Sequence, residues 1–361
     1  MKFKRSFLII ILFAFILLSA LHIKFNKNII FSFFKKINIL TKVDNLDNFL
    51  KNNNYHSIPI VIPSKTTESL QEILNIEDIT TTIKLYGNLL IPKSASGKTP
   101  AVIFAFGGAR RMYPNFKEKV HILLQHGISV LIMDSSTKRN RSVLRIEKRA
   151  MNEPTTLFSD ITDAFAALYV LSKHPKIDKR KIGIIGFSIG GSVSIFTAWK
   201  PIIEKLAVNN VKFAFHISFY PFCFQFEHLD MSEAPMLLLI GEKDNWALPQ
   251  RCYTLFDKMQ QLKYAVTLIT YPNAIHAFDI YLPERIIPNE YSGEKCKWMV
   301  KNNGELLEPN LKIRVINSKD FIEAKSFCGV KNKVTNGGNL HARNKSQKDM
   351  MEFIKTVWHI E

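Results

Sequence analysis

The sequence predicts an α/β fold, a mostly parallel central sheet with helices on both faces. Short apolar runs at 101–106, 128–133, 181–185, 213–218, 236–240 and 266–270 are rich in β-branched and aromatic residues and lack polar alternation, as strands buried on both faces do. Between them lie candidate helices. The clearest spans 157–173, where Ile161, Ala164, Phe165, Leu168 and Leu171 recur at helical spacing. Two earlier apolar runs, 58–62 and 82–91, are expected as an antiparallel lead-in, and 349–358 as a final helix. No internal repeat is visible.

A chain of 361 residues, 47% hydrophobic and 22% charged, can bury a full core, which excludes disordered, collagen-like and low-complexity classes. Its 49 Lys and Arg against 31 Asp and Glu leave a net charge of +18. Focused on one face, that charge would favour nucleic acid or anionic lipid. It is scattered, and no helix-turn-helix, zinc-finger or single-strand-binding motif accompanies it, so nucleic acid is not an expected partner.

At the N-terminus, Lys2, Lys4 and Arg5 precede an uncharged run, 7–23, dominated by Leu, Ile and Phe. A basic segment followed by an apolar one is the pattern of a signal sequence, and the run approaches the length of a membrane anchor. Ser19 and Ala20 offer small residues for cleavage, and no Cys stands nearby to carry a lipid. The expected layout is a signal or anchor at 1–25, a Lys/Asn-rich linker at 26–55 and a folded domain at 56–361 of an exported protein.

All four cysteines, Cys223, Cys252, Cys296 and Cys328, lie downstream of that segment. An even count in an exported chain suits two disulfides, with three pairings open and buried free thiols as the alternative. None forms a C-x-x-C pair or sits at ligand spacing from a His, so no metal site is expected. The Lys-, Glu- and Asn-rich stretch 281–335 shows little periodicity and reads as a long surface excursion. Loops of this length usually carry function or are disordered, and this one follows the last catalytic candidate closely enough to cover a site.

The sharpest local signal is Gly186-Phe187-Ser188-Ile189-Gly190-Gly191, between a strand-like run and a helix-like run at 193–199. This is the strand, elbow and helix context that a G-x-S-x-G nucleophile requires. A Ser held at a strained turn needs neighbours without side chains, which Gly186 and Gly190 supply. The amide of Ile189 then opens the helix and can donate to a developing oxyanion. A second donor is expected from the loop after the strand at 101–106, with Gly108 first and Gly107 second. Arg110 and Arg111 follow as solvated residues or as contacts for an anionic group.

A serine hydroxyl needs a base and an orienting carboxylate, expected in the order Ser, acid, His. Asp244 follows the strand-like run 236–240, and His276 follows 266–270. Ser188, Asp244 and His276 thus fall at strand C-termini, where an open α/β sheet places its ligands. Glu242 is the nearest competitor for the acid. Asp134, Asp160 and Asp163 precede the Ser and break the order, His216 lies inside a strand-like run as a core residue, and His228, His341 and His359 have no strand before them.

The segments 213–221 (FAFHISFYP), 238–246 (LLIGEKDNW), 271–279 (YPNAIHAFD) and 336–343 (NGGNLHAR) together resemble the dienelactone hydrolase family of α/β-hydrolases, particularly its exported members. The resemblance covers roughly residues 80–358 and implies an α/β-hydrolase fold that cleaves an ester, lactone or similar acyl bond through Ser188, Asp244 and His276, without a cofactor. Well-known members carry Cys at the nucleophile position and His-Gly at the oxyanion strand; here Ser188 and Phe106-Gly107 stand there. Within the resemblance, Cys223 follows the Tyr-Pro segment and Cys252 the acid loop, so these two are paired, leaving Cys296 with Cys328 to pin the excursion.

The resulting expectation is a serine hydrolase of small ester or lactone substrates that proceeds through an acyl-enzyme. Two other readings stay open: a serine peptidase acting on short peptides, and an inactive hydrolase fold serving as a membrane-anchored binding protein. Oligomeric state is not written in the residues.

Overall fold

A computed structural model of the chain describes residues 54–107, 114–135, 155–288, 290–315, 318–331 and 333–360. The expectations for 1–25 and for 26–53, and those for Gly108, Arg110 and Arg111, lie outside the described residues. Among the described residues no helix is long and apolar enough to cross a membrane.

Eight strands form one sheet: β1 (Tyr55–Lys65), β2 (Thr82–Pro92), β3 (Thr99–Ala105), β4 (Ser129–Asp134), β5 (Ile177–Phe187), β6 (His216–Phe219), β8 (Met236–Gly241) and β9 (Val266–Tyr271). Their spatial order is β1-β2-β4-β3-β5-β6-β8-β9. The expected antiparallel lead-in is present: β1 pairs antiparallel with β2, and β2 with β4. All remaining pairs are parallel. The central stretches of the parallel strands, such as 101–105, 182–187 and 236–241, are buried because helices cover both faces, whereas the start of β5 and the outermost strand β9 keep exposed polar residues.

The helices are α1 (Leu70–Leu74), α2 (Pro114–Gln125), α3 (Thr155–Lys173), α4 (Ile189–Phe196), α5 (Lys200–Leu206), α6 (Pro249–Gln261), α7 (Ser318–Cys328) and α8 (Leu340–Trp358). Helix α3 is the one read at 157–173, and Ile161, Ala164, Phe165, Leu168 and Leu171 are all buried. Two boundaries differ from the sequence reading. The strand expected at 213–218 becomes regular only at His216, although Ala214 N–H still donates to Ile182 O at 2.8 Å. The final helix starts at Leu340 instead of 349, because its first half is polar and buries only Ala342 and Ser346. An Asn339 cap, whose Oδ1 accepts from Ala342 N–H at 3.0 Å, fixes that start. Tyr271 on β9 then donates to the buried Asp349 Oδ2 at 2.7 Å and locks α8 onto the sheet.

The stretch 281–335 is more ordered than its composition suggests. It holds β10 (Arg285–Ile286), β11 (Tyr291–Ser292), β12 (Met299–Val300), β13 (Leu306–Glu308), β14 (Ile313–Val315), helix α7, β15 (Val330–Lys331) and the start of β16 (Thr335–Asn336). Strands β14, β13 and β12 join β7 (Gln225–Phe226) in a second, four-stranded sheet. Cys296, Trp298, Val300, Leu306, Val315, Ala324 and Cys328 are buried under it. Each strand is two or three residues long and carries few apolar positions, so no period could be read from the sequence.

The cysteines pair as expected, Cys223 with Cys252 and Cys296 with Cys328, with Cα separations of 5.1 Å and 4.8 Å. Two disulfides are consistent with an exported protein.

Candidate active site

Strand β5 runs straight into α4 through Ser188, whose φ of 56° and ψ of −118° place a non-glycine residue in a region that L side chains rarely adopt. The turn is possible because of its glycines. A Cβ on Gly186 would stand 1.8 Å from the carbonyl oxygen of Gly190, and one on Gly190 2.0 Å from that of Ala105. The elbow is held from below by Ser188 N–H donating to Phe219 O at 2.9 Å. These contacts leave Ser188 half-buried at the C-terminal edge of the sheet, above a floor of fully buried Phe187 and Phe219.

His276 lies in the loop after β9 and Asp244 in the loop after β8. The three predicted groups meet: Ser188 Oγ is 2.9 Å from His276 Nε2, and His276 Nδ1 is 2.7 Å from Asp244 Oδ2. The other carboxylate oxygen of Asp244 accepts from the amides of Trp246 and Ala247, each at 2.8 Å. Three acceptor contacts fix the carboxylate, and the carboxylate fixes the ring, so Nε2 is left to face the serine hydroxyl. Asp244 and His276 are 3% and 2% exposed, which limits the ability of water to screen their interaction.

The rivals separate cleanly. Glu242 is exposed and accepts from Asn273 N–H at 3.0 Å. His216 is buried in the core with Nδ1 facing Ser194 O at 3.0 Å and Thr197 Oγ1 at 3.1 Å; burial pushes its imidazole down to about 3. Asp163 accepts from Ser64 Oγ at 2.6 Å, far along the chain from the elbow, and His228, His341 and His359 are exposed.

Of the oxyanion candidates, Ile189 opens α4, and Gly107 presses against Ser188: a Cβ there would sit 3.2 Å from Ser188 Cβ. Gly108 lies outside the described residues. Among those residues no group of three or more His, Cys, Asp or Glu side chains is arranged to hold a metal ion.

Aromatic rings surround His276, and the sequence reading assigned no role there to Trp246 or Tyr220. Trp246 and Phe222 place their rings 4.8 Å and 5.8 Å from the imidazole, and Tyr220 packs edge-on at 5.0 Å. Behind Tyr220 lies a buried ion pair, Lys119 with Asp279. One signal pointed to it: Lys119 interrupts the apolar stripe Phe116, Val120 and Leu123 of α2, where a charge has no reason to stand unless a partner is inside.

The chain returning from the excursion is tied back to this edge. Asn245, next to Asp244, donates through Nδ2 to Lys333 O at 2.7 Å and accepts from Thr335 N–H at 2.9 Å. Gly337 N–H donates to His276 O at 3.1 Å, and Asn339 N–H to Phe278 O at 2.7 Å. Arg251 on α6 donates to the carbonyls of Gly293 and Cys296 from a mostly desolvated position, which lowers its guanidinium to about 10.

The sheet order, the elbow at its edge and the flanking helices define an α/β-hydrolase fold. Residues 85–300 match the model of the dienelactone hydrolase family, and the chain belongs to that family of hydrolases. Among curated relatives it is 26% identical over 154 residues to the uncharacterized peptidase YtmA of Bacillus subtilis, covering 36% of this chain and 60% of that protein. It is 24% identical over 197 residues to a probable 2-oxo-3-(5-oxofuran-2-ylidene)propanoate lactonase of Bradyrhizobium, covering 52% of this chain and 79% of the relative. Solved structures similar to it include the Thermogutta terrifontis esterase Est2, with TM-score 0.43 and 17% identity over 54% of this chain and 79% of the other. The dienelactone hydrolase-like promiscuous phosphotriesterase P91, from metagenomic libraries, aligns with TM-score 0.45 and 13% identity over 83% and 98%.

Proposed function

We propose that the protein is an exported serine hydrolase that cleaves small carboxylic esters or lactones through Ser188, His276 and Asp244. The observation that carries this reading is the unbroken relay from Ser188 Oγ through both imidazole nitrogens to Asp244, built on a strained elbow. In the first step His276 takes the Ser188 proton as Oγ attacks the substrate carbonyl, and Asp244 supports the imidazolium that forms. The amide of Ile189, at the start of α4, donates to the oxygen that gains charge, with the second donor assigned from the sequence to Gly108 first and Gly107 second. His276 then protonates the leaving alkoxide, and an activated water releases the acyl group from Ser188. No cofactor has a part in these steps.

Trp246 and Phe222 flank the imidazole and present an apolar wall, which suits an uncharged acyl or alcohol group. A peptidase reading rests on the name of the Bacillus relative. It shares the same acyl-enzyme chemistry and differs in the leaving group. The two disulfides and the basic-apolar N-terminus support export, with residues 1–25 as signal or anchor and the hydrolase domain from about residue 56.

A chain-length series of p-nitrophenyl esters, run beside amino-acid p-nitroanilides and on the Ser188→Ala variant, tests the proposal. Ester turnover that falls on the order of 10⁴-fold in Ser188→Ala supports it. Turnover of anilides alone shifts the assignment to a peptidase, and turnover that survives the substitution overturns the serine mechanism.

A further inference from the structure

We propose that Lys119, Asp279 and Tyr220 form a buried, charge-balanced network that positions His276 and sets the pH at which it acts as a base. The inference rests on the reading of Ser188 and His276 given above and adds three positioning residues to it. Lys119 Nζ donates to Asp279 Oδ2 at 2.6 Å, and both side chains are fully buried. Asn115 Nδ2 donates to the same oxygen at 3.0 Å, and Tyr220 OH donates to Oδ1 at 2.8 Å. Tyr220 is held in its protonated, donating form, since burial and the adjacent Asp279 carboxylate raise it well above the ordinary phenol range.

The placement of these groups is what gives them a role in catalysis. Lys119 and Asn115 sit on α2, which follows the oxyanion segment; Tyr220 follows β6; Asp279 lies three residues beyond His276 in the same loop. One carboxylate therefore joins α2, the wall behind the base and the loop that carries the base itself. Tyr220 adopts φ 38°, a strained backbone for an aromatic residue, and its ring meets the imidazole edge-on at 5.0 Å. Lys119 Nζ also lies 5.1 Å from the Phe219 ring and 5.6 Å from the Phe187 ring, the two aromatics beneath the elbow.

A buried ion pair is a poor route to stability, because desolvation offsets the attraction, so its presence here calls for another reason. The reason offered is electrostatic. Among the described residues, the ionisable groups facing His276 are Ser188 and Asp244 in direct contact, Tyr220 across the ring, and Asp279 with Lys119 behind Tyr220; Phe222 and Trp246 are uncharged. With both members of the pair present, each charge opposes the other's field at the imidazole. With one removed, the other acts on it alone.

The test is the acid limb of kcat/KM against pH in three variants of the full chain, each checked for a native melt. Lys119→Met leaves the Asp279 carboxylate uncompensated, favours the protonated imidazole and moves the limb up by about one pH unit. Asp279→Asn leaves the ammonium and moves the limb down by about as much. Tyr220→Phe keeps the ring and loses the strut; kcat is expected to fall about tenfold with KM within about twofold, as a misplaced base would produce. Limbs that stay in place, or move in the same direction, overturn the proposal. If the charge variants do not fold, Tyr220→Phe decides: an unchanged kcat overturns it and the tenfold loss supports it. Ser188→Ala runs alongside. Activity surviving there overturns the parent reading, whereas a Ser188-dependent enzyme with unmoved limbs overturns only the network.

Discussion

The parallel sheet and the excursion at 281–336 solve the same problem with different materials. In the sheet, β3, β5, β6 and β8 are buried on both faces, and each strand is fixed by apolar neighbours and by hydrogen-bond ladders to strands distant in sequence. In the excursion, strands of two or three residues are held by the Cys296–Cys328 disulfide, by the Lys325–Glu290 and Arg314–Glu305 pairs and by Arg251 reaching across from α6. The first kind of structure carries Ser188, Asp244 and His276 at its edge. The second braces the two loops that bring Asp244 and His276 to Ser188. A sheet specifies where strands end, but the loops beyond it have no ladder, so their placement needs polar clamps such as Asn245.

The sharpest way to break this comparison is at the point where the two regions meet. Asp244→Asn keeps the shape of the acid loop but loses the charge and the acceptor pattern, and kcat on a saturating p-nitrophenyl ester is expected to fall on the order of 10³- to 10⁴-fold. Glu242→Gln, one turn away and exposed, is expected to leave kcat unchanged. Equal losses in the two variants would mean that the acid has been assigned to the wrong carboxylate.

A smaller effect should mark the sheet itself. His216 is fully buried and its folded-state value lies near 3, against about 6.5 in the unfolded chain. Between those values the unfolded state binds a proton that the native state does not, so stability is complete above pH 6.5 and is lost as pH falls toward 3. From pH 6.5 to pH 4 the loss attributable to this residue is about 3 kcal/mol. Denaturant titrations of His216→Gln should show a correspondingly flatter pH dependence; parallel curves for the two proteins would remove His216 as the cause.

The excursion should respond locally. Cys296→Ser with Cys328→Ser is expected to cost about 2 to 4 kcal/mol, read as faster proteolytic cleavage within 281–336 while the sheet keeps its melt. A joint collapse of both regions would show that the excursion is an integral part of the core instead of a brace applied to it.

Much of the candidate site was legible before any fold was drawn. The elbow reads locally because its glycines answer a steric demand within five residues, and Gly186 and Gly190 each meet a backbone oxygen at a distance that admits no Cβ. Asp244 and His276 read from their positions after buried strands, since a parallel sheet delivers the ends of β8 and β9 to the same edge as β5. The first half of α8 did not read, because a helix packed with one polar face and two small buried residues shows no apolar period. The excursion did not read either. Its core is assembled from Trp298 just ahead of β12, Leu306 of β13, Val315 of β14 and Ala324 of α7, apolar positions scattered along the segment.

The sequence by itself determined the α/β class, the turn at Ser188 and the order of the three candidate residues, because each depends on period, spacing or local sterics. Only the tertiary structure decided which carboxylate meets His276, that Lys119 finds Asp279 across 160 residues, and that Asn245 grips the returning chain. Those contacts join residues with no local relation to one another. Their geometry exists only once the sheet has brought the loops together.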